Sequence, residues 1–157
     1  QMQNKEHKRP LLRLFVYGTL KRGGRNYRNF CTRSVSVSSA TVWGRVYHLP
    51  EGFPALVLAE DQILAKGTAN PRFDTLHLMQ RQKMQLNFNR PVGDWSLIQG
   101  ELVTFANPLR DLPPIDWLEG FRPNGASLYQ RAMVVVQSRH CLVTAWTYCM
   151  QNLSCMQ

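Results

Sequence analysis

The run Leu11–Tyr17 carries one polar side chain, Arg13, and stops at Gly18. So apolar a stretch reads as a strand buried on both faces, hence central in whatever sheet the chain builds. Its end constrains the fold as much as its body. Gly18-Thr19-Leu20-Lys21-Arg22-Gly23-Gly24-Arg25-Asn26 is polar and glycine-rich. A buried strand that ends this way exposes backbone N–H groups at its tip, and Gly18 lets another group approach them closely. The remaining chain reads as a small barrel that holds this corner and brings one acid, Glu119, up to it.

Further strand signals follow in order. Val35, Val37, Thr41 and Trp43 through Tyr47 form a second strand region, ended by Pro50-Glu51-Gly52. Phe53–Leu58 is short and apolar, and Pro54 makes it an edge or irregular piece. Leu97–Phe105, Leu128–Val136 and Cys141–Met150 return to strand character, and the tight connection Ser138-Arg139-His140 predicts that the last two form a hairpin. Two helices are expected. Asp74 caps one over 74–86, with Leu76, Met79, Lys83 and Met84 along it. Asp111–Gly120 is the second, with an aspartate near its start, proline in its first turn and glycine just past its end. Asn87–Asp94 reads as loop. With no alternating βαβ pattern, the class is α+β, a mostly antiparallel β-barrel or curved sheet flanked by short helices. A single domain over 11–150 is expected, with tails at 1–10 and 151–157. A chain of 157 residues buries roughly 68–70% of its unfolded surface, enough for a core without staples.

Composition excludes several classes. With 44% apolar and 18% charged residues the chain is globular. No apolar run approaches the ~20 residues of a membrane span, and no signal peptide is predicted from the polar first ten residues. Cys31, Cys141, Cys149 and Cys155 form no C-x-x-C pair, and His7, His48, His77 and His140 have no ligand spacing. Reduced thiols in a cytoplasmic protein, without a metal site, are expected. Cys141 and Cys149 would share a face of one strand rather than form a bridge. The net charge of +9 fits a nucleic-acid partner, attraction to anionic small molecules, or solubility alone. The chain has no RNP-like aromatic strand, KH-type loop or zinc knuckle, which argues against nucleic acid.

Two places hold chemistry. Gly18 to Gly24 approaches a nucleotide-binding loop but has Gly24 where the decisive lysine belongs, so that reading fails. A plain turn, or a backbone-amide cradle for an oxyanion or carboxylate, remains. Glu119 stands in the last turn of a predicted helix, facing the negative end of the helix dipole and flanked by Leu118 and Phe121. Both surroundings raise a carboxyl pKa, which suits a general base or acid near neutral pH. Asp116, three residues earlier, reads as helix-supporting polarity. Tyr17, beside the glycine turn, is placed to hydrogen-bond a ligand, whereas Tyr129 and Tyr148 read as packing.

Several blocks then fall in order onto one family. Phe15-Val16-Tyr17-Gly18-Thr19-Leu20-Lys21-Arg22-Gly23 with Asn26 resembles the Tyr-Gly-x-Leu signature of the γ-glutamyl cyclotransferase-like (AIG2-like) family. Gly44–Leu49 with Gly52–Val57 resembles its second block, Gly100–Val103 its third, Ile115–Phe121 its acid-bearing helix, and Tyr129–Val136 with Ala145–Tyr148 its closing strands. The resemblance implies a small barrel flanked by helices, with a cavity at the Tyr-Gly-x-Leu turn. It implies intramolecular cleavage of a γ-glutamyl amide or amine to 5-oxoproline and a free amine, with no cofactor and no metal. On this reading Glu119 is the catalytic acid/base. Tyr17, Gly18, Thr19 and Leu20 cradle the substrate, and Tyr129 matches a recurrent site tyrosine. The expected partner is a small γ-glutamyl substrate. The alternative is a non-enzymatic module on the same barrel that binds a ligand or polyanion.

Overall fold

The computed structural model describes residues 9–17, 32–50, 54–123, 127 and 129–150. Strand β1 (Leu12–Val16) lies at the centre, as its composition requires. It pairs antiparallel with β5 (Ser96–Phe105) on one side and parallel with β7 (Cys141–Met150) on the other. Leu12, Leu14, Phe15 and Val16 are at most 3% exposed. Between these strands in sequence run β2 (Ser36–His48), β3 (Pro54–Val57), the two-residue β4 (Ala65–Lys66) and helix α1 (Pro71–Gln82). Helix α2 (Pro108–Leu118) and β6 (Tyr129–Ser138) come between β5 and β7.

The sheet order β3-β2-β5-β1-β7-β6-β4 gains a further pairing of β2 with β6, at Thr41 and Gln137. That contact closes β2, β5, β1, β7 and β6 into a five-stranded barrel, antiparallel except at β1–β7. The Ser38 and Ser138 hydroxyls meet across the closure at 2.9 Å, and the Ser138 hydroxyl donates to the Ser39 carbonyl. Closure removes the sheet's own edges, leaving β3 and β4 as short outer strands. Pro54 sits on that β3 edge, as expected. β2 runs beside β5 as far as Gly44 and beside β3 from Arg45 onward.

Gly100 is a glycine this arrangement cannot replace. A Cβ there would stand 2.4 Å from the Val16 carbonyl oxygen and 2.6 Å from the Phe15 ring. Gly100→Ala should therefore push β5 away from the C-terminal end of β1. A loss of about 1–3 kcal/mol is expected in chemical denaturation; unchanged stability would show that the strands do not approach this closely.

β6 and β7 form the expected hairpin, in register from Tyr129–Met150 to Ser138–Cys141. Its two turn residues, Arg139 (φ 51°) and His140 (φ 66°), are both left-handed, the geometry of a two-residue turn that favours an asparagine followed by a glycine. Supplying that pair is an informative stability test: the double substitution R139N/H140G should gain about 1 kcal/mol, read as a raised denaturation midpoint. An unchanged midpoint would show that the turn carries no such strain. Cys141 and Cys149 share β7, and both are free thiols.

Both helices differ from their sequence-based limits. α1 begins three residues earlier than expected, with the Asn70 side chain accepting from the Phe73 N–H, and ends at Gln82. Asp74 does not cap it. That side chain is fully buried, and Leu78 supplies the core contact, while Leu76 is 41% exposed. α2 starts at Pro108 behind an Asn107 cap, which places Pro113 and Pro114 inside the helix. Both lie on its exposed side, where water can satisfy the carbonyls that lose their partners. The segment after α1 is pinned to β2 by arginine–tryptophan contacts. Arg45 stacks over Trp95 at 4.1 Å, Trp43 packs on Phe88, and the Trp43 indole donates to the Phe88 carbonyl. Among the described residues, no helix is long and apolar enough to cross a membrane.

Candidate active site

Helix α2 delivers the acid. Its last turn closes with two linked bonds, the Gly120 N–H to the Trp117 carbonyl (3.2 Å) and the Phe121 N–H to the Asp116 carbonyl (3.0 Å). Gly120 is left-handed, at φ 77°. This is the glycine-ended stop anticipated from sequence, and it makes Glu119 the C-cap residue. Phe121 then turns into the core. Glu119 is left half-buried at the helix end, with no hydrogen-bond partner for its carboxylate among the described residues. Burial pushes its carboxyl up to about 7.

Tyr17 and Tyr129 stand at the same corner. The charges of Glu119 and Tyr129 both act on the Tyr17 phenol, whose pKa is raised, chiefly by burial. The position a Gly120 side chain would take lies 3.7 Å from the Tyr129 ring. The Tyr17 hydroxyl donates to the Tyr148 carbonyl (2.8 Å) and accepts from the Leu56 N–H (2.9 Å). It thus ties β1 to β3 and β7, so its hydroxyl is already engaged by the frame. Gly18, Thr19 and Leu20, the predicted cradle, lie outside the described residues.

Sequence reasoning missed the device beneath the acid. Arg131 on β6 is fully buried, and its guanidinium grips Asp116 with two bonds, Nε at 2.8 Å and Nη2 at 3.0 Å. Nη1 reaches Asp74 of α1 at 2.9 Å, and Nη2 also reaches the Thr68 carbonyl. The guanidinium lies over the rings of Phe121 and Trp146. The close approach of Gly67 leaves it room, since a Cβ there would fall 2.7 Å from Nη1. The Tyr148 hydroxyl donates to Asp116 at 2.5 Å. Asp116 is therefore not helix-supporting surface polarity. It is the anchor that fixes the last turn of α2, one turn before Glu119. Burial raises the Asp116 carboxyl above its ordinary value against the pull of Arg131. Burial disfavours the Arg131 cation, but the bonds to Asp116 and Asp74 and the charges of Asp116 and Tyr148 together outweigh it and hold its pKa up. Burial and Asp116 together raise Tyr148 well above a normal phenol. The available signal was an arginine inside the apolar run of β6, a residue type that is almost never buried unless paired.

The arrangement sets two kinds of carboxyl side by side. Asp116 is paired, whereas Glu119 has no cation beside it among the described residues, and burial raises its carboxyl to about 7. An acid raised that far, at a corner shared with two tyrosines, is suited to moving a proton. A family model described as gamma-glutamyl cyclotransferase, AIG2-like, matches residues 14–69 and 75–157. The solved structure of an AIG2-like protein from Mus musculus is similar to this chain at 16% identity and a TM-score of 0.48, over 92% of this chain and 81% of that one. At that distance the likeness carries no argument about the site. No curated relative matches the chain.

Proposed function

The chain belongs to the gamma-glutamyl cyclotransferase, AIG2-like, family, and from that premise we propose that it cleaves a γ-glutamyl amide to 5-oxoproline and a free amine. The observation that carries this reading is the Glu119 carboxyl, unpaired among the described residues and raised to about 7 by burial.

In the proposed reaction the substrate's own α-amine is the nucleophile. Glu119, as carboxylate, takes a proton from that amine, whose nitrogen bonds to the γ-carbonyl carbon. The tetrahedral oxyanion collapses, the original amide C–N bond breaks, and Glu119 returns the proton to the departing amine. No water is consumed. Backbone N–H groups of Gly18, Thr19 and Leu20 are the proposed donors to the oxyanion or the α-carboxylate. Ring closure within one molecule can supply an effective molarity of ~10⁵–10⁸ M once the glutamyl chain is folded correctly. A site with a single acid is therefore sufficient. Tyr129 is proposed to form a wall for the glutamyl group, and Tyr17 to keep the corner in shape.

The test is product identity. Incubation with γ-glutamyl amino acids, γ-glutamyl amines and glutathione should release 5-oxoproline and amine in equal amounts from at least one of them. Free glutamate would instead reveal hydrolysis by water, and ligand-induced thermal stabilisation without either product would reveal a binding protein. Both results oppose the proposal. A pH dependence follows as well. The base form of Glu119 dominates above pH 7, so kcat/KM should fall about tenfold per unit as the pH drops below about 7. A flat acid limb down to pH 5 would exclude this carboxyl as the base.

A further inference from the structure

One side of α1, exposed at Arg72 and Leu76, forms with the Lys83 that follows it one wall of a trough away from the Glu119 corner. Arg72, Thr75, Leu76, Met79, Gln82 and Lys83 recur at helical spacing and line two hollows of about 280 and 260 Å³. Along the helix axis the stripe runs roughly 16 Å. The facing walls are the segment entering β1 (Arg9, Pro10, Leu11) and the start of α2 (Pro108, Leu109), and Arg9 lines both hollows. Leu76 is 41% and Leu109 59% exposed, an apolar lining left open.

Charge and size decide what fits. No aspartate or glutamate is among the described residues that line either hollow. Exposed Arg72 and Lys83 stand towards the two ends, with Arg9 between the hollows. Arg13 is not a free cation here, because its guanidinium is held by the Thr144 carbonyl, the Thr144 hydroxyl and the Gln82 side chain. Each hollow falls just below the ~300–1,000 Å³ of a small-molecule site, so each suits an apolar side chain rather than a whole ligand. A second copy would bring another net charge of +9 to a basic trough. The chain's own first eight residues carry Lys5 and Lys8 against Glu6 and also mismatch in sign.

We propose that this trough docks an acidic segment of a partner protein, which seats two apolar side chains in the hollows and sets a carboxylate on Arg9 between them. Burial of the two anchors supplies affinity, and the flanking cations set orientation and sign.

The test uses the full chain and a short fluorescein-labelled peptide of leucines and glutamates at helical spacing, read by fluorescence polarisation at physiological salt. The peptide should bind. Leu76→Ser and Arg72→Glu should each weaken it about tenfold or more, with the fold checked by circular dichroism. A peptide with serine in place of leucine, or lysine in place of glutamate, should not bind. Equal binding of the serine peptide would reduce the effect to non-specific attraction and overturn the proposal. So would insensitivity to Leu76→Ser, or no binding of the leucine–glutamate peptide. Binding to anionic vesicles but not to the peptide would replace the protein partner with a lipid surface.

Discussion

Glu119→Gln is expected to make the protein more stable and to remove its turnover. In the folded chain the carboxyl titrates at about 7, against an ordinary value of 4.5, so folding favours its neutral form. An acid whose pKa is raised by folding contributes stability that is fully present below its unfolded value. That contribution is lost as pH rises through the folded value. The neutral amide has no charge to desolvate. The variant and wild type should therefore match near pH 4, diverge between about 4.5 and 7, and differ by a constant amount above. The difference should reach about 2–3 kcal/mol at pH 8, or roughly 5–10 °C in Tm for a chain of this size. Denaturation curves at pH 4.5 and pH 8 measure it directly. A variant no more stable than wild type at pH 8 would mean that Glu119 is solvated and ordinary.

The largest loss of stability should follow Arg131→Met. That change leaves the Asp74 and Asp116 carboxylates buried without their cation, and breaking a buried pair in this way costs about 3–5 kcal/mol. The loss should depend on pH in a particular sense. Burial already raises the Asp116 carboxyl, and without Arg131 the main pull against that rise is gone, so protonation relieves the strain. The deficit against wild type should shrink as pH falls towards 5 and be greatest at pH 8. Adding Asp74→Asn and Asp116→Asn to the Arg131→Met protein should recover part of the loss at pH 8. Arg131→Lys should rescue little, since an ammonium cannot hold Asp116 with two parallel bonds while reaching Asp74. A deficit equal at both pH values would show that Arg131 acts by packing alone.

The central strand, the closing hairpin and the edge position of Pro54 were legible because each depends on local signals. These were an apolar run with no polar face, two strand patterns around a tight turn, and a residue that cannot donate. The raised carboxyl of Glu119 was legible for a related reason: a carboxylate at a helix C-terminus between Leu118 and Phe121 breaks two local preferences at once. The start of α1 was not. Asp74 looked like a cap because aspartate is common there, but its position is set by Arg131, 57 residues away in sequence. That pairing turns Asp74 and Leu78 inward and leaves Leu76 at the surface. Asp116 was misjudged on the same account. The parallel β1–β7 contact and the Thr41–Gln137 closure join distant parts of the chain and leave no local trace. The loop after α1 owes its order to Trp43 and Arg45, whose outward-facing positions on β2 carry no hint of what covers them.

The central claim is that Glu119 moves the proton in an intramolecular cleavage. Its most direct test is 5-oxoproline release at pH 8 by wild-type and Glu119→Gln proteins from the same panel of γ-glutamyl substrates, with both folds confirmed. Wild type should release 5-oxoproline, and the variant should be slower by at least ~10²-fold, the scale of a lost general acid–base. Release by the variant at the wild-type rate would contradict the account.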